Sequence, residues 1–201
     1  MPANLIGLVL AAGRSSRMGR AKAVLPDGQG DAFVVRVVRT LGEAGLTRVL
    51  VVAAPDTHDA ISEALGELGD RPAVTVLVNP EPDRGQLSSL LAGLDAAGHA
   101  DGLLVTLVDV PFVSAATVAA VMETWERTRA LIVRPAIGER HGHPVIFDQA
   151  LFDALRAAPL DAGAKHVVRA HESAIVNVPV SDEGAFLDLD TPDDYRTALS
   201  Q

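Results

Sequence analysis

The chain predicts an α/β fold, a mostly parallel twisted sheet with helices on both faces. Three observations carry this. The apolar runs Leu5–Leu10, Arg48–Ala54 and Gly102–Val108 do not alternate, as expected of strands covered on both sides. Helical patterns separate the first three strand-like runs, which gives βαβαβ. Hydrophobic residues make up 48% of the 201 residues but aromatics only 3%, so the core must be aliphatic.

Taken in order, Leu5 to Leu10 is the first strand, and a loop follows it to Leu25-Pro26-Asp27-Gly28-Gln29-Gly30. Asp31 is placed to cap a helix running to Ala44, with Phe33, Val37, Val38 and Leu41 on one stripe, and Gly45 ends it. After the second strand, Pro55-Asp56-Thr57 starts a helix to Leu68, and Ala73 to Val78 is the third strand. Residues 79–86 are a polar loop rich in Pro and Gly, and a helix spans 87–97. The fourth strand ends at Asp109-Val110-Pro111, and Ser114 caps a helix to Arg129. Residues 131–135 and 145–147 are short strands, the latter read as antiparallel. Helical stretches cover 149–157 and 163–170, a strand covers 174–178, and 186–190 is extended. Thr191-Pro192-Asp193-Asp194 then starts a last helix. No repeat or linker interrupts the chain, so residues 1–201 are expected to form one domain.

Composition narrows the function. Net charge is −9, from 17 basic and 26 acidic residues, which argues against nucleic acid as a partner. There is no cysteine, so disulfides, thiolate metal sites and cysteine catalysis are excluded. The first residues lack a cationic leader, and no apolar run approaches the ~20 residues that span a bilayer. A soluble, cytoplasmic protein without membrane contact is the expectation.

Against that acidic background, Arg14, Arg17, Arg20 and Lys22 fall within nine positions with no acid among them. They follow a buried strand and the small residues Ala11-Ala12-Gly13, where a ligand can approach the backbone. Such a loop suits a polyphosphate. It is neither of two known phosphate loops. Gly13 and Gly19 do not fit the dinucleotide spacing, and Gly19 is followed by Arg20 rather than by Lys and a hydroxyl residue. Asp109 ends an apolar strand on the rim where ligands bind, well placed for Mg²⁺; the competing reading is a turn aspartate before Pro111. Asp188 and Asp190 share a face of an extended segment, and either could be a second metal ligand; Asp190 could equally serve the following helix N-terminus. His141 and His143 flank Gly142 near Arg134 and Arg140, a candidate for contact with an anionic substrate; no third ligand nearby supports zinc. Gln86, Ser88 and Ser89, after Gly85, are either helix-capping groups or contacts to a base or ribose.

These residues fall into motifs that resemble the MobA-like nucleotidyltransferases, and within them the molybdenum cofactor cytidylyltransferases. Leu10-Ala11-Ala12-Gly13-x-Ser15-x-Arg17-Met18-Gly19-x-x-Lys22, continuing to Leu25-Pro26, is similar to the family's nucleotide signature. Gly85-Gln86-x-x-Ser89-Leu90, Asp109-x-Pro111, Gly142-His143-Pro144-x-x-Phe147, Asp161-x-Gly163-Ala164 and Asp188-Leu189-Asp190-Thr191-Pro192-x-Asp194-Tyr195 follow in order. The resemblance spans nearly the whole chain. It implies a three-layer, Rossmann-like fold of the GT-A nucleotidyltransferase type. It also implies transfer of CMP from CTP to molybdenum-loaded molybdopterin, with release of pyrophosphate. Arg17 and Lys22 would hold the phosphates, and Asp109 with Asp190 or Asp188 would hold Mg²⁺, with Mn²⁺ as an alternative. Leu10, Ala11, Ala12, Gly13, Arg14 and Ser15, with Gly85, Gln86, Ser88 and Ser89, would bind the nucleotide. His143, with Gly142 and Arg134, would face a phosphate-bearing pterin. A molybdoenzyme or its chaperone would be the protein partner. Guanylyl-transferring relatives usually carry Leu-Ala-Gly-Gly, so Ala12 favours CTP. Close relatives often have Gln where this chain has Val110. Two other readings remain open: nucleotidyl transfer to another small phosphate (a sugar phosphate, methylerythritol phosphate or phospholactate), and a non-catalytic nucleotide-binding regulator or cofactor-insertion partner.

Overall fold

The computed structural model describes residues 3–13, 21–66, 68–69 and 72–199. Four parallel strands form one half of the sheet: β1 (Leu5–Leu10), β2 (Arg48–Ala53), β3 (Ala73–Val78) and β4 (Gly102–Leu107). β5 (Ile132–Ile137), β6 (Arg140–His141) and β7 (Val145–Asp148) extend it in the order β3-β2-β1-β4-β7-β5-β6, and β8 (Ile175–Pro179) pairs with β5. β7 runs antiparallel to both β4 and β5, so β5 and β8 point the same way as β1 to β4.

The reversal of β7 decides what meets at the rim. β7 starts beside the carboxyl end of β4, with Val145 opposite Val105. The 142–144 loop that precedes it therefore lies on the same edge as the loops that follow β1 and β4. β8 delivers residues 180–190 to that edge too. Strand direction thus brings together groups as far apart in the chain as Lys22 and Asp190, 168 positions away.

Among the described residues, seven α-helices cover the sheet: α1 (Phe33–Glu43), α2 (His58–Leu65), α3 (Gln86–Ala97), α4 (Ala115–Thr128), α5 (Phe152–Ala157), α6 (Ala164–Ala170) and α7 (Pro192–Leu199). Each central strand feeds two cores. Leu5 and Val9 of β1 pack with α1 and α4, where Phe33, Val37, Leu41 and Trp125 are fully buried or nearly so. Ile6, Leu8 and Leu10 pack with Leu87, Leu90 and Leu94 of α3 on the opposite face. This is why the strands read as continuous apolar runs rather than as alternating ones. A Cβ at Gly93 would come within 2.3 Å of Leu8 Cδ1, so α3 rides close on β1 and its first turn is held at the rim.

Side-chain caps start α4 and α7, whereas the residues before α1, α2, α3, α5 and α6 make none among the described residues. Ser114 Oγ accepts from the Thr117 backbone N–H, and Thr191 and Asp194 cap α7 reciprocally at 3.2 and 2.8 Å. Asp31 does not cap α1. The helix begins at Phe33, whose N–H donates to the Leu25 carbonyl at 2.9 Å, so the first donor needs no side chain. The Asp31 carboxylate pairs with Arg39 instead. The buried Asp27 closes this turn, accepting from the backbone N–H of Gln29 and Asp31 and from Arg36 Nη1 at 2.9 Å. The region expected to be extended from Phe186 begins as one 3-10 turn, Glu183–Phe186, and only 187–190 continue without regular structure. β6, two residues long, was not expected, being too short to leave a pattern. Among the described residues, no helix is long and apolar enough to cross a membrane.

Candidate active site

β1 and β4 end side by side, with Leu10 in register with Leu107. The chain continues from both, and the Val108 N–H donates to the Leu10 carbonyl. Asp109 therefore emerges next to Ala11-Ala12-Gly13. Two cavities open here. The first, about 430 Å³, is lined by Leu10 through Gly13, Lys22, Gln86, Ser89, Asp109 and Asp190. The second, about 790 Å³, has apolar walls from Leu90, Val105, Val145 and Phe147, with Arg134, Gly142 and His143 among its polar lining. Leu10, Asp83, Gly85, Gln86 and Leu107 line both, so the cavities meet along a common ridge.

Lys22 is the charge centre of the first cavity. Its Nζ lies 3.0 Å from Asp109 Oδ2 and 2.6 Å from Asp190 Oδ1. Lys22 and Asp109 side chains are mostly buried, at 13% and 23% exposure, whereas Asp190 is 56% exposed. Burial opposes the ammonium charge, but the Asp190 hydrogen bond and the Asp109 charge outweigh it, and the Lys22 pKa is raised. Asp109 Oδ1 is buried with no hydrogen-bond donor against it among the described residues.

Asp188 sits under the same influence. Burial pushes its carboxyl above the usual range, and the neighbouring Asp109 and Asp190 charges push the same way, with His143 and Lys22 opposing. Above both pKa values, the ionised Asp188 is worse off in the folded chain than in the unfolded one. Asp188→Asn should therefore raise the melting temperature at neutral pH without divalent ions. The gain should shrink as pH falls toward the carboxylate range; a lower melting temperature at pH 7.5 would contradict the charge crowding.

His143 closes the junction from the other side. Its N–H donates to the Ala185 carbonyl at 2.8 Å, and the His143–Pro144 bond is cis. A Cβ at Gly142 would lie 2.3 Å from that same carbonyl, so only glycine fits there. Burial lowers the imidazole pKa, against the pull of Asp188, the Val105 carbonyl and Asp109, so the ring is neutral at pH 7. Its Nδ1 is buried without a partner among the described residues. Arg134 donates through Nε to Asn177 Oδ1 at 2.9 Å, and burial works against its charge.

The helix α3 presents Gln86 and Ser89 to the first cavity. Gly85, at φ +91°, makes the turn into this helix, a conformation that L side chains rarely adopt. Ser88 lines neither cavity. Its hydroxyl contacts the Gly85 carbonyl at 2.7 Å and accepts from Asn79, which also donates to Ser89. The buried Asn79 thus anchors the 79–85 loop to α3, a role its position before Pro80 did not signal. Val110 is fully buried, so the Gln-to-Val departure falls on a core position and not on a cavity wall. Arg14, Ser15 and Arg17 lie outside the described residues. Asp83 lines both cavities and was missed; a single acid in a Pro-rich loop carries no pattern.

Comparison with known proteins identifies the family. The model of the MobA-like NTP transferase domain matches residues 7–175. A nicotine blue oxidoreductase of Paenarthrobacter nicotinovorans is 31% identical over 92% of this chain and 91% of that protein. A molybdenum cofactor guanylyltransferase of Xanthomonas euvesicatoria pv. vesicatoria is 28% identical over 97% and 94%. The molybdenum cofactor cytidylyltransferase of Escherichia coli is 24% identical over 95% and 93%. Among solved structures, Rv0371c from Mycobacterium tuberculosis H37Rv superposes with a TM-score of 0.78 at 26% identity, with both chains fully covered. The chain belongs to the MobA-like NTP transferase family and is an enzyme of the nucleotidyltransferase class.

Proposed function

We propose that the protein transfers CMP from CTP to a phosphate-bearing pterin, molybdenum-loaded molybdopterin, releasing pyrophosphate. The observation that carries this reading is the pair of contiguous cavities. One holds a lysine between two aspartates; the other is larger, with an apolar wall and with Arg134 and His143 in its lining. Two adjoining cavities suit two substrates, a triphosphate in the first and, in the second, an acceptor whose ring lies on the apolar wall and whose phosphate meets the basic side chains.

The residues fit a divalent cation. Asp109 and Asp190 already share a positive charge, and Asp109 Oδ1 is an acceptor without a donor among the described residues. Among the described residues, no group of three His, Asp or Glu side chains encloses an ion. That suits Mg²⁺ or Mn²⁺, which take one or two carboxylates and complete their shell with phosphates and water. The ion supplies charge neutralisation at the phosphates when bound. The 11–13 backbone and the first turn of α3 seat the nucleotide, and Lys22 with Arg17 neutralises the leaving pyrophosphate. The acceptor phosphate, oriented from the second cavity, attacks the α-phosphorus in line. No protein nucleophile is required, and catalysis is positioning and electrostatics. The acceptor end is read by His143 and Arg134.

The names of the relatives do not choose the base, since a guanylyl- and a cytidylyltransferase match over similar lengths. Ala12, which is buried and lines the first cavity, supports CTP by the resemblance given above, since guanylyl-transferring relatives usually carry Gly there. The test is pyrophosphate release with CTP and GTP in turn, with Mg²⁺ and molybdenum-loaded molybdopterin. CTP should be preferred, and Ala12→Gly should shift the kcat/KM ratio toward GTP by about tenfold. Preference for GTP in the unaltered protein would overturn the base assignment. Pyrophosphate, rather than loss of acceptor, is the right readout, because a relative on the same scaffold is named an oxidoreductase.

A further inference from the structure

The groups assigned above sit on three segments that no strand ladder joins at the rim: the loop after β4 with Asp109, the loop before β7 with His143, and residues 185–190 with Asp188 and Asp190. From the contacts between them we infer that Asp182 is a positioning residue, a clamp that fixes the spacing of the carboxylates although it lines neither cavity. This inference rests on the site reading proposed above.

Asp182 Oδ2 accepts three hydrogen bonds from the start of α4: from the Ser114 backbone N–H at 2.8 Å, from Ser114 Oγ at 2.8 Å and from Thr117 Oγ1 at 2.7 Å. Its Oδ1 accepts from the Gly184 N–H at 3.0 Å. Four donors, three of them on Oδ2, thus converge on this one carboxylate. One side of this network is anchored five residues after Asp109; the other begins the segment that ends in Asp188 and Asp190. Between them the backbones touch directly. A Cβ at Gly184 would lie 2.1 Å from the Phe112 carbonyl. Downstream, the Ala185 carbonyl accepts from His143 N–H, and Leu189 N–H donates to the Asp109 carbonyl at 2.9 Å. Asp182 thus stands at the head of a run of contacts that successively fixes His143, Asp109 and Asp190.

A helix cap alone does not account for it. Ser114 already caps α4 by accepting from Thr117 N–H. What Asp182 adds is the bond between two segments. Hydrogen bonds hold its carboxyl pKa down against the opposing effect of burial, so the clamp is charged at working pH.

The test compares Asp182→Asn with a control of similar chemistry at the opposite edge of the sheet. Asp148 accepts from Ala150 N–H and from Trp125 Nε1, and pairs with Gly102 at the far end of β4. Mn²⁺ binding by calorimetry, kcat and KM for CTP, and melting temperature are measured for both. Asp182→Asn should weaken Mn²⁺ binding and lower kcat by about tenfold each, with KM for CTP little changed. Asp148→Asn should lower the melting temperature with both quantities unchanged. If Asp182→Asn only melts earlier, keeping native Mn²⁺ affinity and kcat, Asp182 is merely structural. Should Asp182→Asn not fold, Thr117→Val removes one of the three donors and should shift both quantities in the same direction; unchanged values there overturn the clamp. If the unaltered protein neither binds Mn²⁺ nor releases pyrophosphate, the site reading fails and the clamp with it. If it does both and Asp182→Asn matches it, the clamp alone fails.

Discussion

Asp109→Ala is expected to lower kcat for pyrophosphate release by about a thousandfold or more, while the folded fraction stays near native. Its carboxylate is mostly buried, one oxygen faces Lys22, and the other has no donor among the described residues. Removing it leaves Asp190, whose side chain is more than half exposed and so a weaker partner for a cation. Asp109 also caps nothing, and its backbone carbonyl still accepts from Leu189 N–H, so loss of activity would not be loss of fold. The measurement is turnover at saturating CTP, Mg²⁺ and acceptor, with circular dichroism as the folding check. Full activity in Asp109→Ala would remove the metal assignment.

Lys22→Ala should produce two effects of opposite character. Turnover should fall by about a hundredfold or more, because a buried ammonium no longer meets the charge that develops on the pyrophosphate. Binding of Mn²⁺ in the absence of nucleotide should not weaken, and should tighten. The Lys22 ammonium lies between Asp109 and Asp190, where a divalent ion would also be attracted, so the two cations compete. Calorimetry without CTP separates this from simple disruption of the site. Weaker Mn²⁺ binding together with lost turnover would mean that Lys22 organises the carboxylates rather than competing for them.

Much of this site is legible in the chain because its groups sit in short motifs at strand ends. Asp109 could be placed on the rim once 102–108 read as a buried strand, and Ser114 announced α4 with a capping hydroxyl. The Gly142-His143-Pro144 loop could be singled out, but not joined to Asp109. That union depends on β7 running backward against β4; 145–147 reads as antiparallel from the chain, but so short a run does not show which strands it pairs with. Asp31 misled because a local capping signal was present while the Leu25 carbonyl, six residues earlier in the chain, supplied the partner through tertiary structure. Ser88 illustrates the same limit: a hydroxyl at a helix start looks alike whether it faces a ligand or holds a loop. Asp182 gave no signal at all, since its four donors come from its own turn and from a helix more than sixty positions away.

The family assignment leaves the location of the chemistry as the central claim. Crystals grown with Mn²⁺ and a non-hydrolysable CTP analogue, with data collected at the manganese absorption edge, test it most directly. The predicted result is an anomalous peak shared by Asp109 and Asp190, with the Lys22 ammonium displaced toward the phosphates and the cytosine beside Ala12. A peak remote from both aspartates, or a nucleotide seated outside the Ala11–Gly13 and Gln86 walls, would contradict it.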